Sequence, residues 1–365
     1  MKITRKQIED ALEFVFLPQK GQSTIKNIQI FDNEIIIDLE VNNPTLQFKN
    51  KIEKDCSDAL KKKFSSNLKL KMNFIFKKKE TIDDSKIPGI KNIIAVSSAK
   101  GGVGKSTLTS NIAVGLSVLG NKVGILDADI YGPSMPIMFD LEGCTPQAVN
   151  VNGKNKMKPP SNYNIKIASI GFFAKPNQAL VWRGPMASKA LNQLLKDTHW
   201  GELDYLIVDL PPGTGDIHLS LLQAIPLTGA VIVSTPQYVA LADAKKGVEM
   251  FKMESINVPI LGFIENMSYF IPEDDKKKKY YIFGRDGVKK LAEQINIDFL
   301  SEIPIVKSLR EAGDAGRPVI LQKDSEIAKT FVNLSSLIID KVNQRNKDLE
   351  PTTSVKITHT KGCSK

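Results

Sequence analysis

The residues of this chain best placed to do chemistry begin with two lysines, Lys100 and Lys105. They enclose Gly101-Gly102-Val103-Gly104 and are followed at once by two hydroxyls, Ser106 and Thr107. Glycines at 101, 102 and 104 let a backbone curl with its N–H groups turned inward, and a helix opening at Lys105 adds its positive dipole end to the same hollow. The spacing predicts a phosphate cradle. Lys105 would reach the β- and γ-phosphates of a nucleoside triphosphate, Ser106 would offer its hydroxyl to Mg²⁺, and Thr107, one residue deeper, would lie near the α-phosphate. The loop departs from the usual G-x-x-x-x-G-K-[ST] pattern at its first position, where Ala99 stands, and it carries the additional Lys100 directly after it.

Further reactive groups follow short apolar runs. Val123-Gly-Ile-Leu leads into Asp127-Ala-Asp129-Ile-Tyr-Gly-Pro-Ser134. A carboxylate leaving a strand beside the γ-phosphate can orient a water for in-line attack, a role that falls to Asp129, while its neighbour Asp127 can hold the waters of the magnesium. Tyr205-Leu-Ile-Val leads into Asp209-Leu-Pro-Pro-Gly213-Thr-Gly215-Asp216, in which Asp209 has the Walker B position for Mg²⁺ and the glycines allow a loop that moves with the γ-phosphate. Ile260-Leu-Gly-Phe-Ile leads into Glu265-Asn266-Met267-Ser268, and the Asn266 amide offers both a donor and an acceptor to the edge of adenine. Arg183, in Trp182-Arg-Gly-Pro-Met186, is placed to meet phosphate or a carboxylate. His199 and His218 have no spaced partner for nucleophilic or zinc chemistry, so solvated or capping roles are expected for them.

These groups need a scaffold that gathers strand ends. From Lys91 onward, short apolar strands alternate with helices: Ile93–Val96, Val123–Leu126, Ile165–Ile170, Tyr205–Val208, Ala230–Ser234, Ile260–Ile264 and Phe299–Ser301. That alternation predicts an α/β fold with a mostly parallel sheet flanked by helices, whose ligands collect at the carboxyl ends of the strands. A helix from about Ser325 to Arg345 presents Ile327, Phe331, Leu334, Ile338 and Val342 on one face, to pack on the sheet. Residues 1–80 read as a separate small α/β domain, with a helix over Thr4–Phe16, a hairpin turning at Asp32-Asn33, a helix from Pro44 to Ser65 and a strand over Leu68–Phe76. Residues 81–90, with Pro88-Gly89, form the expected linker to the large domain over 91–348, and 349–365 a disordered tail.

With 365 residues, 42% hydrophobic and 25% charged, the chain suits a two-domain globular protein. No apolar run approaches the roughly 20 residues of a membrane span, so a cytoplasmic protein acting away from membranes is expected. Cys56, Cys144 and Cys363 form no C-x-x-C pair, so no disulfide framework or local metal knuckle is visible. The net charge of +10 is spread along the chain, with short clusters at Lys61–Lys63, Lys77–Lys79 and Lys276–Lys279 and no interleaved aromatics for base stacking. No nucleic-acid partner is expected.

Lys100-Gly-Gly-Val-Gly-Lys-Ser resembles the deviant P-loop of dimeric ATPases, whose first lysine crosses to the partner's nucleotide. With Asp127–Ser134, Trp182–Met186, Asp209–Asp216 and Glu265–Ser268 in this order, the chain resembles the Mrp/ApbC family of P-loop ATPases over roughly Lys91 to Arg345. The first domain is similar to the small iron–sulfur-assembly domain often fused ahead of it, with Leu17-Pro-Gln-Lys-Gly-Gln22 in place of the usual Asp-Pro-Glu turn. The resemblance implies a homodimeric cytosolic ATPase, using ATP and Mg²⁺, that carries a [4Fe–4S] cluster to apo-proteins. Most such proteins place a C-x-x-C just after the Asn-Met-Ser-Tyr segment, whereas this chain reads Tyr269-Phe-Ile-Pro-Glu-Asp-Asp-Lys-Lys-Lys-Lys-Tyr-Tyr281. A rival reading is a spatial regulator of the MinD/ParA kind, which shares the deviant loop but acts on membrane or DNA. Asp209–Asp216 and Trp182–Met186 favour the first reading. A third is a nucleotide-gated scaffold with slow turnover.

Overall fold

The protein is described by a computed structural model covering residues 4–16, 23–31, 34–41, 46–64, 69–76, 87–173, 184–272, 275 and 278–350. The chain divides into two compact units, Met1–Asp84 and Ser85–Lys365. The turns expected at Leu17–Gln22 and Asp32-Asn33, the Trp182-Arg183 pair, linker residues 81–86 and the tail from residue 351 lie outside the described residues.

In the first unit, alternating apolar residues build a sheet of β1 (Ser23–Ile30), β2 (Glu34–Val41) and β3 (Lys69–Phe76). β1 runs antiparallel to β2 and β3 parallel to it. Ile35, Ile37 and Leu39 share one face of β2, as a period of two requires. They are fully buried with Ile8 and Leu12 of α1 (Arg5–Phe16) and Ile52, Cys56 and Leu60 of α2 (Leu46–Lys63).

The second unit is built on eight strands in the order β13-β12-β11-β4-β10-β5-β9-β8, parallel throughout except for the edge strand β8. Their bounds are β4 Ile90–Ser97, β5 Val123–Asp127, β8 Ser161–Asn162, β9 Ile165–Ser169, β10 Leu203–Asp209, β11 Gly229–Ser234, β12 Ile260–Phe270 and β13 Phe299–Ile305. Every strand expected from the apolar runs is present. A small antiparallel pair that the sequence did not signal, β6 (Gln147–Val151) and β7 (Lys154–Lys158), is mostly exposed and polar, so it carries no hydrophobic alternation to find.

Both faces of the sheet are covered, which is why its central strands are apolar without interruption. On β4, Ile94 and Val96 point to one core and Ile93 and Ala95 to the other. The first core is closed by α3 (Lys105–Val118) and α10 (Glu326–Asp348), which pack on each other. Ile327, Phe331, Leu334, Ile338 and Val342 are all buried there, so the stripe on α10 is core. The second core is closed by α5 (Gly184–Asp197), α6 (Asp216–Ala224), α7 (Tyr238–Lys252) and α8 (Gly287–Gln294). Among the described residues no helix is long and apolar enough to cross a membrane.

Candidate functional site

The cradle forms where β4 ends and α3 begins, at the centre of the sheet. Gly104 sits at the helix N-cap with φ 83°, and Gly102 has φ 79°, left-handed conformations that an L side chain resists. A Cβ on Gly104 would collide with the Asn266 side-chain amide. The loop encloses a cleft of about 260 Å³ lined by Gly101, Gly102, Gly104, Lys105, Ser106 and Thr107, together with Ser98, Asp129, Gly132, Ser134, Met138 and Pro212 from neighbouring segments. Lys100 and Ala99 belong to the loop but do not line this cleft.

Strand register brings Asp209 to the loop. β10 pairs with β4 on one side and β5 on the other, with Asp209 level with Val96 and Asp127. Ser106 Oγ donates to Asp209 Oδ2 at 2.6 Å, and Lys105 Nζ lies 2.7 Å from Oδ1 and 3.2 Å from Ser106 Oγ. Asp209 is fully buried. Thr109, which no motif signalled, donates to its Oδ1 at 2.7 Å.

Asp127, the last residue of β5, and Asp129 just after it have different surroundings. Asp129 lines the cleft, half-buried, with Oδ1 accepting from Gly132 N at 3.3 Å. Burial, more than any other cause, raises its carboxyl above the ordinary range, and the Asp209 charge adds to this while Lys105 opposes it. Asp127, like Asp209, is fully buried, behind the cleft wall that Asp129 helps to form. Its Oδ2 accepts from Ser134 N, Met135 N and Ser169 Oγ at 3.1, 3.2 and 2.9 Å, and its Oδ1 from Asp129 N at 3.3 Å. Those bonds fix the loop that presents Asp129. Burial, then the charge of Asp209, pushes the Asp127 carboxyl up to about 7.

Asn266 is buried against the loop, and its Nδ2 donates to the Val103 carbonyl at 2.8 Å. The amide therefore braces the loop from behind. Its motif neighbour Glu265, also buried, accepts from Val288 N at 2.8 Å at the start of α8. Gly213 N donates to Ser98 O at 3.0 Å, which holds the glycine loop beside the cradle.

His199 is exposed, as expected, but His218 is not. It lies 2% exposed on α6, edge-on to Phe251, and neither ring nitrogen completes a hydrogen bond. Burial, then the charge of Lys105, lowers its pKa to about 4, opposed only by the Pro211 backbone. The helical spacing of α6, with His218 in line with the buried Leu221 and Leu222, was the signal available.

In the Tyr269–Tyr281 stretch, Lys279 Nζ lies 3.7 Å from the Tyr269 ring centroid and 3.6 Å from Glu302 Oε1. Tyr269 meets Tyr281 edge-on at 6.2 Å. Cys144 is exposed, Cys56 is buried in the first unit, and Cys363 lies outside the described residues. No group of three or more His, Cys, Asp or Glu suited to a metal ion occurs among the described residues.

The comparisons agree with this geometry. The profile of the NUBPL iron-transfer P-loop NTPases, within the ParA group, matches residues 89–339. An iron-sulfur cluster carrier protein of Aquifex aeolicus is 50% identical over 264 residues, 71% of this chain and 71% of that one. A nucleotide-binding protein from Archaeoglobus fulgidus, solved in complex with ADP, superposes with TM-score 0.59 at 36% identity, over 68% of this chain and 96% of its own. The MinD protein of Pyrococcus horikoshii, solved with Mg-ADP, has TM-score 0.50 at 21% identity over 70% of this chain and 98% of its own, a likeness of fold alone.

Proposed function

This chain belongs to the NUBPL iron-transfer P-loop NTPase family, and from that premise we propose that it binds ATP with Mg²⁺, hydrolyses it to ADP and phosphate, and carries iron–sulfur clusters to apo-proteins. One observation carries the nucleotide part: Ser106 Oγ, on the glycine cradle, lies 2.6 Å from the buried Asp209 Oδ2. Because the serine hydrogen points at Asp209, the serine lone pairs are left for a cation, and these hard oxygens suit Mg²⁺. Bound there, Mg²⁺ would neutralise charge on the β- and γ-phosphates.

The chain's own groups do the rest. Backbone N–H groups of the loop bind phosphate oxygens, and Lys105 turns from Asp209 to the β- and γ-phosphates. Asp129 orients the attacking water from the cleft wall, held by the loop that Asp127 fixes. Asn266, whose Nδ2 is engaged with Val103, has its carbonyl oxygen for the amino group of adenine. Lys100, which lies off its own cleft, suits a homodimer in which it reaches the partner's nucleotide.

The cargo is supported by the Aquifex relative's name and by the family. The test is ATP turnover and cluster transfer to an apo-protein by the parent and by Lys105→Ala. Turnover that requires magnesium and is lost in Lys105→Ala is expected. A variant as active as the parent would sink the site assignment, and a parent that hydrolyses ATP yet transfers no cluster would sink the cargo.

A further inference from the structure

Thr109 belongs to no phosphate-loop motif. It stands one helical turn beyond Lys105 on α3 and is fully buried. Its Oγ1 lies 2.7 Å from Asp209 Oδ1 and 3.0 Å from the Lys105 carbonyl oxygen. A hydroxyl carries a single hydrogen, so it serves one acceptor at a time, and the shorter contact, to an ionised oxygen, takes it. The Lys105 carbonyl is an ordinary helix partner for a threonine four residues on, so the hydroxyl has a second position at little cost.

From this geometry we infer that Thr109 is the positioning residue for Asp209 in the nucleotide-bound state, an inference that rests on the nucleotide reading above. Before nucleotide binds, Asp209 Oδ1 has two donors, Lys105 Nζ and Thr109 Oγ1, while Oδ2 has Ser106 Oγ. When Lys105 turns to phosphate, Thr109 is the donor left on Oδ1. Asp209 is fully buried, so the departing lysine leaves Oδ1 one charge-assisted donor short. An unpaired buried carboxylate oxygen is costly, and the side chain would turn about its terminal torsion to relieve it. The Thr109 hydroxyl prevents that turn. It keeps Oδ2 facing Ser106 and the divalent cation, so the cation meets a preset donor pair.

The experiment is calorimetric ADP binding to the full chain, in EDTA and across a MgCl₂ titration, for the parent, Thr109→Val, Thr109→Ala and Thr109→Ser, with thermal melts alongside. Valine keeps the shape without the hydroxyl. Alanine removes the same hydroxyl without the second methyl, so a folding defect in one variant does not decide the matter. Loss of one hydrogen bond to a charged group should raise the half-saturating Mg²⁺ concentration about tenfold in Val and Ala. In EDTA no cation takes over Asp209, so Lys105 keeps its pair and binding should stay at the parent's level, and Ser should restore the parent's Mg²⁺ response. Three results overturn the inference: an unchanged Mg²⁺ response in Val and Ala, an equal weakening of binding in EDTA, or a Ser variant as poor as Val. A parent that binds no ADP with or without Mg²⁺ overturns the nucleotide reading and this inference with it, and is distinguishable from all three.

Discussion

Lys105 Nζ and Asp209 Oδ1 form an ion pair at 2.7 Å, with side chains only 6% and 0% exposed. The cation that phosphate needs is thus engaged by the carboxylate that the metal needs. On the proposed function, nucleotide and Mg²⁺ would separate the pair together, each giving one partner a new opposite charge. Either alone would leave a buried charge without its partner, which couples the two binding events.

The pair has a stability consequence as well as a catalytic one. Lys105→Ala leaves Asp209 buried and short of one charge-assisted bond, so the unfolding free energy should fall by about 3–5 kcal/mol as turnover is lost. Lys105→Met combined with Asp209→Leu removes both charges and should recover most of that stability without recovering turnover. Urea unfolding of the single and double variants measures this. Equal losses in the two would mean that the pair is not what the single variant breaks.

His218 gives a pH prediction of definite sign. Its folded pKa is depressed from 6.5 to about 4 by burial, so the unfolded chain takes up a proton that the folded chain resists. The neutral imidazole is therefore without penalty above the unfolded pKa, and stability is lost as pH falls from 6.5 toward 4, with a slope of at most ~1.4 kcal/mol per pH unit. Asp127, whose pKa is raised, acts oppositely over an overlapping range, since stability falls as pH rises through its folded value. The difference between variant and parent isolates the histidine. His218→Gln should gain on the parent steadily as pH falls through that window, and a flat difference would remove the buried neutral imidazole from the account.

Much of the site was legible because phosphate chemistry fixes residue type and spacing together. Lys105, Ser106 and Asp209 meet as the strand-loop-helix pattern and the Walker B position required. The seven expected strands were visible as apolar runs because a sheet covered on both faces leaves no polar alternation to confuse them. What stayed hidden depends on register and depth. Asp127 and Asp129 are two residues apart and alike in sequence, yet one is fully buried under four donors and the other lines the cleft. Thr109, on a helix, was invisible because its partner is 100 residues away at the end of a strand.

Gly104 is the loop position least able to accept a side chain. Its φ of 83° disfavours any L residue, and a Cβ would strike the amide with which Asn266 braces the Val103 carbonyl. Gly104→Ala should therefore abolish ATP binding through the strain and the lost brace together. Asn266→Ala, which loses the brace alone, should lower stability by about 1 kcal/mol. Calorimetric ATP titration and urea unfolding check the two. If the Gly104→Ala variant bound ATP like the parent, the loop would have to relax where the structure holds it tight.

Lys100 and Asp129 test whether one protomer completes the other's site. Lys100 lies off the cleft that Asp129 lines, and a second cation is most useful on charge that develops in the transition state. Each of Lys100→Ala and Asp129→Ala should abolish turnover by itself. Mixed dimers of the two should regain one competent site if the lysine acts in trans, and confirmed mixed dimers without any turnover would place Lys100 in its own protomer's chemistry.

A cluster carried by this chain should be loosely held. A [4Fe–4S] cluster ordinarily takes four thiolates, and oxygen or amine donors replace them poorly. The Cys56 thiol is fully buried, and burial, then the charge of Asp55, pushes it up to about 12, so it is no ready thiolate. In the Tyr269–Tyr281 stretch no cysteine stands, and Lys279 stacks on Tyr269 and pairs with Glu302. Cys144 is exposed and Cys363 lies beyond the described residues, so a dimer gathers four thiolates only by bringing together two positions far apart in sequence. Anaerobic reconstitution should therefore give substoichiometric cluster by absorbance and iron content, readily stripped by chelators, and Cys144→Ala should lower the yield further. A stoichiometric, chelator-resistant cluster that survives both Cys144→Ala and Cys363→Ala would overturn this and direct attention to Cys56 and to ligands other than cysteine.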